Sequence, residues 1–435
     1  MVEFGLLILL IIIIVVYTKT YETPCQGTIY LDNNATTIPP PEVKEEMSRW
    51  LGTGNPSNTN CPSHKLVKES KDFMFDYLDI SPQHYDLVWT SGASESNALF
   101  IRSVVENYRI NSKIGIKPHV VVSAIEHKSI LNLLEMLEGM DAVDYTMVEP
   151  DIYGRVCGDA IMNALTSNTC LVSLMWANNE IGTINSIPAI ALMCRRKRIP
   201  FHTDATQAIG KFNLPLANID GLSMSFHKTY GPPGIGLLVV SKRMKIHSQI
   251  AGMQNGGIRG GTENVPGIAG AIAGIKYMQR DRIYKNIQLE AKRQLIIEEL
   301  SKIWPVVPYD LQLQYRRPET INPVELVVLG SSPFNDVPGL PNTLSLSVVK
   351  HTELIGGEQF CNIKLKSDLY KEGAIVSIGS ACNTSISAPS YVLMAIKAPF
   401  IVRCGTIRIS LGDQNTVEEI KLFIQKLIKC IKMQI

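Results

Sequence analysis

From Tyr30 onward the chain alternates short apolar runs with longer amphipathic ones, and this alternation constrains the fold more than any other feature. Runs over 119–123, 170–176, 201–203, 221–225 and 236–240, and a shorter one over 86–89, have strand length. Between them, 41–51, 95–105, 129–137, 187–196 and 266–280 carry apolar residues at helical spacing. The alternation predicts an α/β fold whose mostly parallel sheet is flanked by helices, because parallel neighbours need a crossover connection. A long helical pattern, 281–303, leads into a proline-rich stretch, 305–345, that reads as a boundary or irregular surface. Strands then mix with a final amphipathic helix over 416–433. The predicted organisation is a large domain over 30–280 and a smaller α/β domain over 281–435.

The N-terminus departs from this pattern. Residues 4–17, FGLLILLIIIIVVY, are apolar on every face, which a core helix does not need. As a helix the run covers about 21 Å, short of a bilayer core of about 30 Å, and Glu3 and Lys19 on its flanks can snorkel. It has no basic leader and no clear cleavage site, so the favoured reading is a retained membrane anchor over 1–21, joined by a linker over 22–29; a cleaved signal or a partner-facing helix are the alternatives. Lys19 on the C-terminal flank places the following domain on the cytoplasmic side.

A balance of 42 basic and 40 acidic residues gives a net charge of +2, which is no footprint for direct nucleic-acid binding. The one basic run, Arg195 to Arg198, fits a solvated helix terminus. The nine cysteines are scattered, without C-x-x-C or zinc spacing. That predicts a reducing compartment, no metal site, and mostly buried, small-hydrophobe roles for the thiols.

Three groups of residues carry chemistry. Lys228 follows a strand and precedes the turn TYGPPGIG, a plausible place for a lysine that binds a carbonyl cofactor. Asp204 stands at the end of another strand, where a carboxylate can face a pyridinium nitrogen and keep that ring an electron sink. Residues 90–97, TSGASESN, open a helix after a strand, and backbone N–H groups with the Ser94 hydroxyl suit a phosphate; a simple capping box explains the same residues. A lysine, an acid and a phosphate cup are the parts of a pyridoxal 5'-phosphate (PLP) site.

Ten stretches in order resemble the NifS-like cysteine desulfurases, PLP enzymes of the class-V aminotransferase family. They are 30–37 (YLDNNATT), 54–57 (GNPS), 90–97, 126–128 (EHK), 178–182 (NNEIG), 204–207 (DATQ), 225–228 (SFHK), 259–264 (RGGTEN), 379–382 (GSAC) and 407–412 (IRISLG). The resemblance implies fold type I and a residue-by-residue site. Lys228 is similar to the cofactor-bearing lysine, His127 to the histidine stacked on the cofactor and a candidate acid/base. Asp204 resembles the pyridinium partner, and Gln207 the residue at the ring hydroxyl. Ala93, Ser94, Ser225 and His227 resemble the phosphate cup. Thr262 resembles a threonine that reaches the phosphate of the other subunit, which implies a homodimer. Asn34, Asn179 and Arg408 resemble substrate-binding residues, with Arg408 on the carboxylate. Cys382 resembles the nucleophile that takes up sulfur as a persulfide.

The implied reaction converts L-cysteine to L-alanine, with sulfur passed to an unidentified acceptor protein; iron–sulfur clusters are one destination. Other readings are a selenocysteine lyase, another class-V aminotransferase, or a membrane-tethered scaffold with an inactive PLP fold. The sequence departs from the family at Phe226, where a bulky ring before His227 is expected to reshape the phosphate cup, and at Asn255 and Gly256, which replace a charged pair. Residues 58–63 and the region 356–371 look inserted.

Overall fold

The computed structural model describes residues 27–112, 115–310, 323–351, 358–379 and 390–435. The apolar segment 4–17, most of the expected linker, and Cys382 lie outside the described residues. Among the described residues no helix is long and apolar enough to cross a membrane.

A short strand, β1 (Ile29–Tyr30), opens the described chain. The strands β2 (Tyr85–Thr90), β3 (His119–Ser123), β4 (Asp144–Val148), β5 (Thr169–Ser173), β6 (Phe201–Asp204), β7 (Gly221–Ser225) and β8 (Gly236–Ser241) form one sheet in the order β2-β8-β7-β6-β5-β3-β4. Only β8 is antiparallel to its neighbours; the pairs β3–β4, β3–β5, β5–β6 and β6–β7 are parallel. Side chains alternate between two cores. Val121, Val172, Leu237 and Val239 join one cluster with the helices Pro62–Tyr77, Ile187–Arg196 and Val265–Gln279. Val120, Val122, Leu171, Leu238 and Val240 join a second with the helices Ala93–Asn111 and Lys128–Gly139. A sheet covered on both faces needs near-continuous apolar strands, which is why these runs stood out in the sequence.

A second sheet contains β9 (Val306–Pro308), β10 (Val324–Leu329), β11 (Thr343–Lys350) and β13 (Thr406–Ser410), ordered β13-β11-β10-β9, while β12 (Ala374–Ile375) pairs with β1. The helices Arg282–Ser301, Asn362–Lys371 and Val417–Lys432 cover one face of it. Thr416 caps the last of these in a capping box with Glu419.

Two sequence expectations are corrected. The described part of 305–345 is not all irregular surface: it contains β9, the start of β11, and β10, which is buried along its whole length. Its described prolines sit at strand ends, between strands, or in the edge strand β9, where a missing N–H costs no ladder bond. The inserted-looking residues 58–63 run into the helix Pro62–Tyr77, with Pro at its first turn. Among the described cysteines only Cys170, Cys194 and Cys430 are buried; Cys157 and Cys361 are exposed. Cys61, Cys157 and Cys361 each occupy the position just before a helix, at the surface end of the element.

Candidate active site

Parallel strands end on a common edge, and ligands of open α/β sheets bind beyond it. A cavity of about 340 Å³ lies there. Its wall includes Asn34, Ala93, Ser94, His127, Asn179, Asp204, Gln207, Ser225, His227, Lys228 and Arg408. Those are the expected site residues other than Thr262 and Cys382.

Asp204 ends β6 and is buried. Burial opposes its charge, but the Asn97 amide donates to Oδ2 at 3.0 Å and the Thr206 N–H to Oδ1 at 3.0 Å. With the nearby His127, these bonds hold its carboxyl below the usual carboxylate range. Asn97 also donates to the Ser129 hydroxyl at 3.1 Å, and that hydroxyl meets His127 Nδ1 at 2.8 Å. His127 is the cap of the helix Lys128–Gly139, its Nδ1 accepting from the Ser129 N–H. The proton of the neutral ring therefore sits on Nε2. Burial, then the charge of Lys228, push the His127 pKa down, so the ring is neutral near pH 7. Asn97 and Ser129 were given no role from sequence; Asn97, one helical turn after Ala93 in the 90–97 motif, was the available signal.

The residue after Asp204's neighbour Thr206 is Gln207, which donates from Nε2 to the Asn34 carbonyl at 3.0 Å and keeps a buried Oε1 with no protein partner. Lys228 closes a single 3₁₀ turn, Phe226–Lys228, at the end of β7. Behind it Lys211 is buried, its Nζ donating to the Gln207 carbonyl at 3.0 Å. Burial, then the Lys228 charge, bring the Lys211 pKa down to about 8.

The cup lies at the start of the helix Ala93–Asn111, where the cap residue is Gly92, which has no side chain to accept from the first turn. The capping-box reading of Ser91 or Ser94 is thus not what forms. The cup is tightly backed: a Cβ on Gly236 would lie 2.5 Å from Gly92 Cα, and one on Gly92 would meet Ser225 Oγ at 3.6 Å. His227 stands beside it, its pKa lowered to about 4 by burial and then by Lys228. Phe226 is not part of the cavity wall. It is fully buried in the core below, its ring 5.8 Å from that of Trp89.

At the other end Arg408 enters from β13. Ile407 and Ile409 on either side point into the second core, so strand alternation sends Arg408 the opposite way. It is 2% exposed, donates from Nη1 to the Asn179 carbonyl at 3.0 Å, and pairs through Nη2 with Asp32. Its Nε has no protein partner. The Asn179 carbonyl also accepts from Asn34 Nδ2 at 3.1 Å. Asn34 is committed further, to Thr343 Oγ1 at 2.7 Å and Asn342 Nδ2 at 3.0 Å, so it braces the wall more than it offers free polar atoms. Thr262 is exposed and lies outside the cavity of its own chain.

The sequence profile of the family described as "Aminotransferase class-V" matches residues 29–322. A cysteine desulfurase IscS of Clostridium botulinum is 35% identical over 93% of this chain and 95% of its own. Another, of Methanosarcina thermophila, is 33% identical over 90% of this chain and 89% of its own. The chain belongs to the cysteine desulfurases of the class-V aminotransferase family. Among solved structures, a NifS-like protein superposes with a TM-score of 0.77 at 27% identity, covering 93% of this chain and all of that one. One titled "SspA in complex with cysteine" superposes at 0.68 with 28% identity, covering 89% of this chain.

Class-V enzymes use PLP, and the cavity fits it. An anionic, doubly hydrogen-bonded carboxylate stands at one side, where it would meet a ring nitrogen, and a helix start with a glycine cap would meet a phosphate. The unpartnered Gln207 Oε1 adds a polar atom, and Lys228 lies within reach of the same space.

Proposed function

We propose that this cysteine desulfurase converts L-cysteine to L-alanine with Lys228 moving the Cα proton and Cys382 receiving the sulfur. What carries the reading is that Lys228, His127, Asp204 and Arg408, four chemically distinct groups from four separate segments, line one cavity in a chain of this family. Bound PLP supplies an electron sink for the charge left when the substrate Cα loses its proton. Asp204, held ionised, keeps that sink strong. His127, held neutral, stacks without adding a cation. Lys228, in the same wall, would hold the cofactor and is the group placed to carry the proton at the substrate Cα. Arg408, with its remaining Nε donor, orients the substrate carboxylate; the Asn179 carbonyl and Asp32 fix its guanidinium plane in advance, so little freedom is lost on binding. Cys382, as a thiolate, the reactive form of the group, would attack the substrate sulfur: the S–S bond forms as the substrate Cβ–S bond breaks, and the electron pair stays on the carbon fragment, which is protonated and leaves as alanine. Buried thiols such as Cys170 and Cys194, pushed up to about 12 by burial, do not compete.

The same reading assigns Thr262 to the phosphate of a partner subunit, a homodimer as the working form, residues 30–280 and 281–435 as the two domains, and an acceptor protein as the destination of sulfur. Residues 1–21 are proposed to tether the enzyme to a membrane with the catalytic part on the cytoplasmic side, on the strength of the unbroken apolar run 4–17. Alanine and sulfide release measured with cysteine beside selenocysteine tests the substrate. Release from selenocysteine alone overturns the cysteine assignment. Full-length protein as soluble as a form beginning at Thr23, with the N-terminus intact, overturns the tether.

A further inference from the structure

Glu95 is the anomaly in the cup. It lies one residue past Ser94, in the first turn of the helix Ala93–Asn111, and lines the same cavity. Its Oε2 accepts from the Ser91 N–H at 2.7 Å, so it takes one of the loop's own donors. A carboxylate there sits beside the place read above as the seat of a phosphate dianion, and like charges in a partly desolvated pocket repel. The structure answers this charge with Arg259. Nε donates to Oε1 at 2.8 Å and Nη2 to Oε2 at 3.3 Å, a two-pronged pair whose side chains are only 22% and 17% exposed. Both of these guanidinium hydrogen bonds go to Glu95.

Arg259 is itself held in register with the cup. Asn255 donates from Nδ2 to the Arg259 carbonyl at 3.3 Å and accepts at Oδ1 from the Trp89 N–H at 3.3 Å. Trp89 lies in β2, the strand that runs into the cup. The turn through Asn255 thus ties the arginine to the loop whose charge it balances. Asn255, with positive φ of 49°, is a residue type that tolerates the conformation.

We propose that Arg259 is a positioning residue for the cofactor phosphate, acting by neutralising Glu95 rather than by touching the phosphate. The proposal rests on reading 91–94 as the phosphate loop. Without Arg259, Glu95 presents an unbalanced anion to the dianion; without both, the cup is again uncharged at this point. The phosphate is the only part of the cofactor that senses the difference.

The test strips the cofactor from the full chain and titrates it with PLP and with pyridoxal, which lacks the phosphate, following absorbance and intrinsic fluorescence. Arg259→Gln is expected to weaken PLP tenfold or more, about 1.4 kcal/mol, and to change pyridoxal less than threefold. Adding Glu95→Gln to it is expected to restore PLP to within threefold of wild type. A double variant as weak as Arg259→Gln overturns the proposal, because it makes Arg259 a direct phosphate ligand or a fold support. Equal weakening of PLP and pyridoxal overturns it as well. If wild type holds pyridoxal as tightly as PLP, the phosphate-loop reading itself falls; a wild-type preference for PLP with no effect of Arg259→Gln removes only the role of the ion pair.

Discussion

Glu126 precedes His127 and is fully buried, with Oε1 accepting from the Met175 N–H at 2.8 Å and from the Ser123 hydroxyl, and Oε2 without a partner. Burial raises its pKa from 4.5 to about 8, and the nearby Asp204 charge adds to the rise. The folded chain therefore keeps the proton that the unfolded chain gives up. Stability from this group is fully present below pH 4.5 and is lost as pH rises toward 8. Each pH unit in that window removes about 1.4 kcal/mol, so wild type should lose roughly 4 kcal/mol from this group between pH 5 and pH 8. Glu126→Gln keeps the acceptor for Met175 and Ser123 and has no proton to hold. Urea unfolding of the two holoproteins side by side at pH 5, 6, 7 and 8 measures the effect. The variant should gain on wild type steadily across the series, with little change in turnover at pH 7, where the wild-type group is already mostly neutral. A difference in unfolding free energy that stays constant from pH 5 to pH 8 refutes the reasoning, since it means Glu126 titrates alike in both states.

Three other outcomes are expected. Lys228→Ala should lose the absorbance of lysine-bound cofactor and all turnover; a borohydride-reducible link between PLP and the variant would show another residue bearing the cofactor. Cys382→Ser should still bind PLP while alanine release from cysteine falls by orders of magnitude and no persulfide accumulates on the 382 peptide; undiminished alanine removes Cys382 from the reaction. Asn97→Ala takes one donor from Asp204 and should lower kcat about tenfold, about 1.4 kcal/mol, with PLP retained and KM little changed, whereas an unaltered kcat would make that hydrogen bond incidental.

The large sheet was legible because its strands are buried on both faces and so read as unbroken apolar runs. The edge strand β4, with Asp144 and Met147 exposed, gave no such signal and went unread. The second sheet was obscured by the prolines that border β9, β10 and β11, since a Pro-rich stretch looks the same whether the prolines break strands or flank them. In the site, Lys228 and Asp204 could be named from residue type and position, and His127 and Arg408 from the family motifs that contain them. Asn97, Ser129 and Arg259 could not, because their roles depend on the partners they meet, Asp204, His127 and Glu95. Asp32 and Arg408 are 376 residues apart in sequence and joined by an ion pair, and no local pattern announces such a partner.

That separation also sets an order of events during synthesis. The Asp32 segment leaves the ribosome early, and β1 and Asp32 find their partners only when β12 and β13 follow. At about 5–20 residues per second, 376 residues take roughly 20 to 75 s. During that interval the large sheet can collapse on its own helices, yet the wall proposed to meet the substrate carboxylate is missing. A nascent chain is thus able to assemble its cofactor end before it has any means of holding an amino acid. Ribosome-stalled chains that stop short of residue 400 are the place to look for a protein that gains the vitamin-derived chromophore but ignores cysteine.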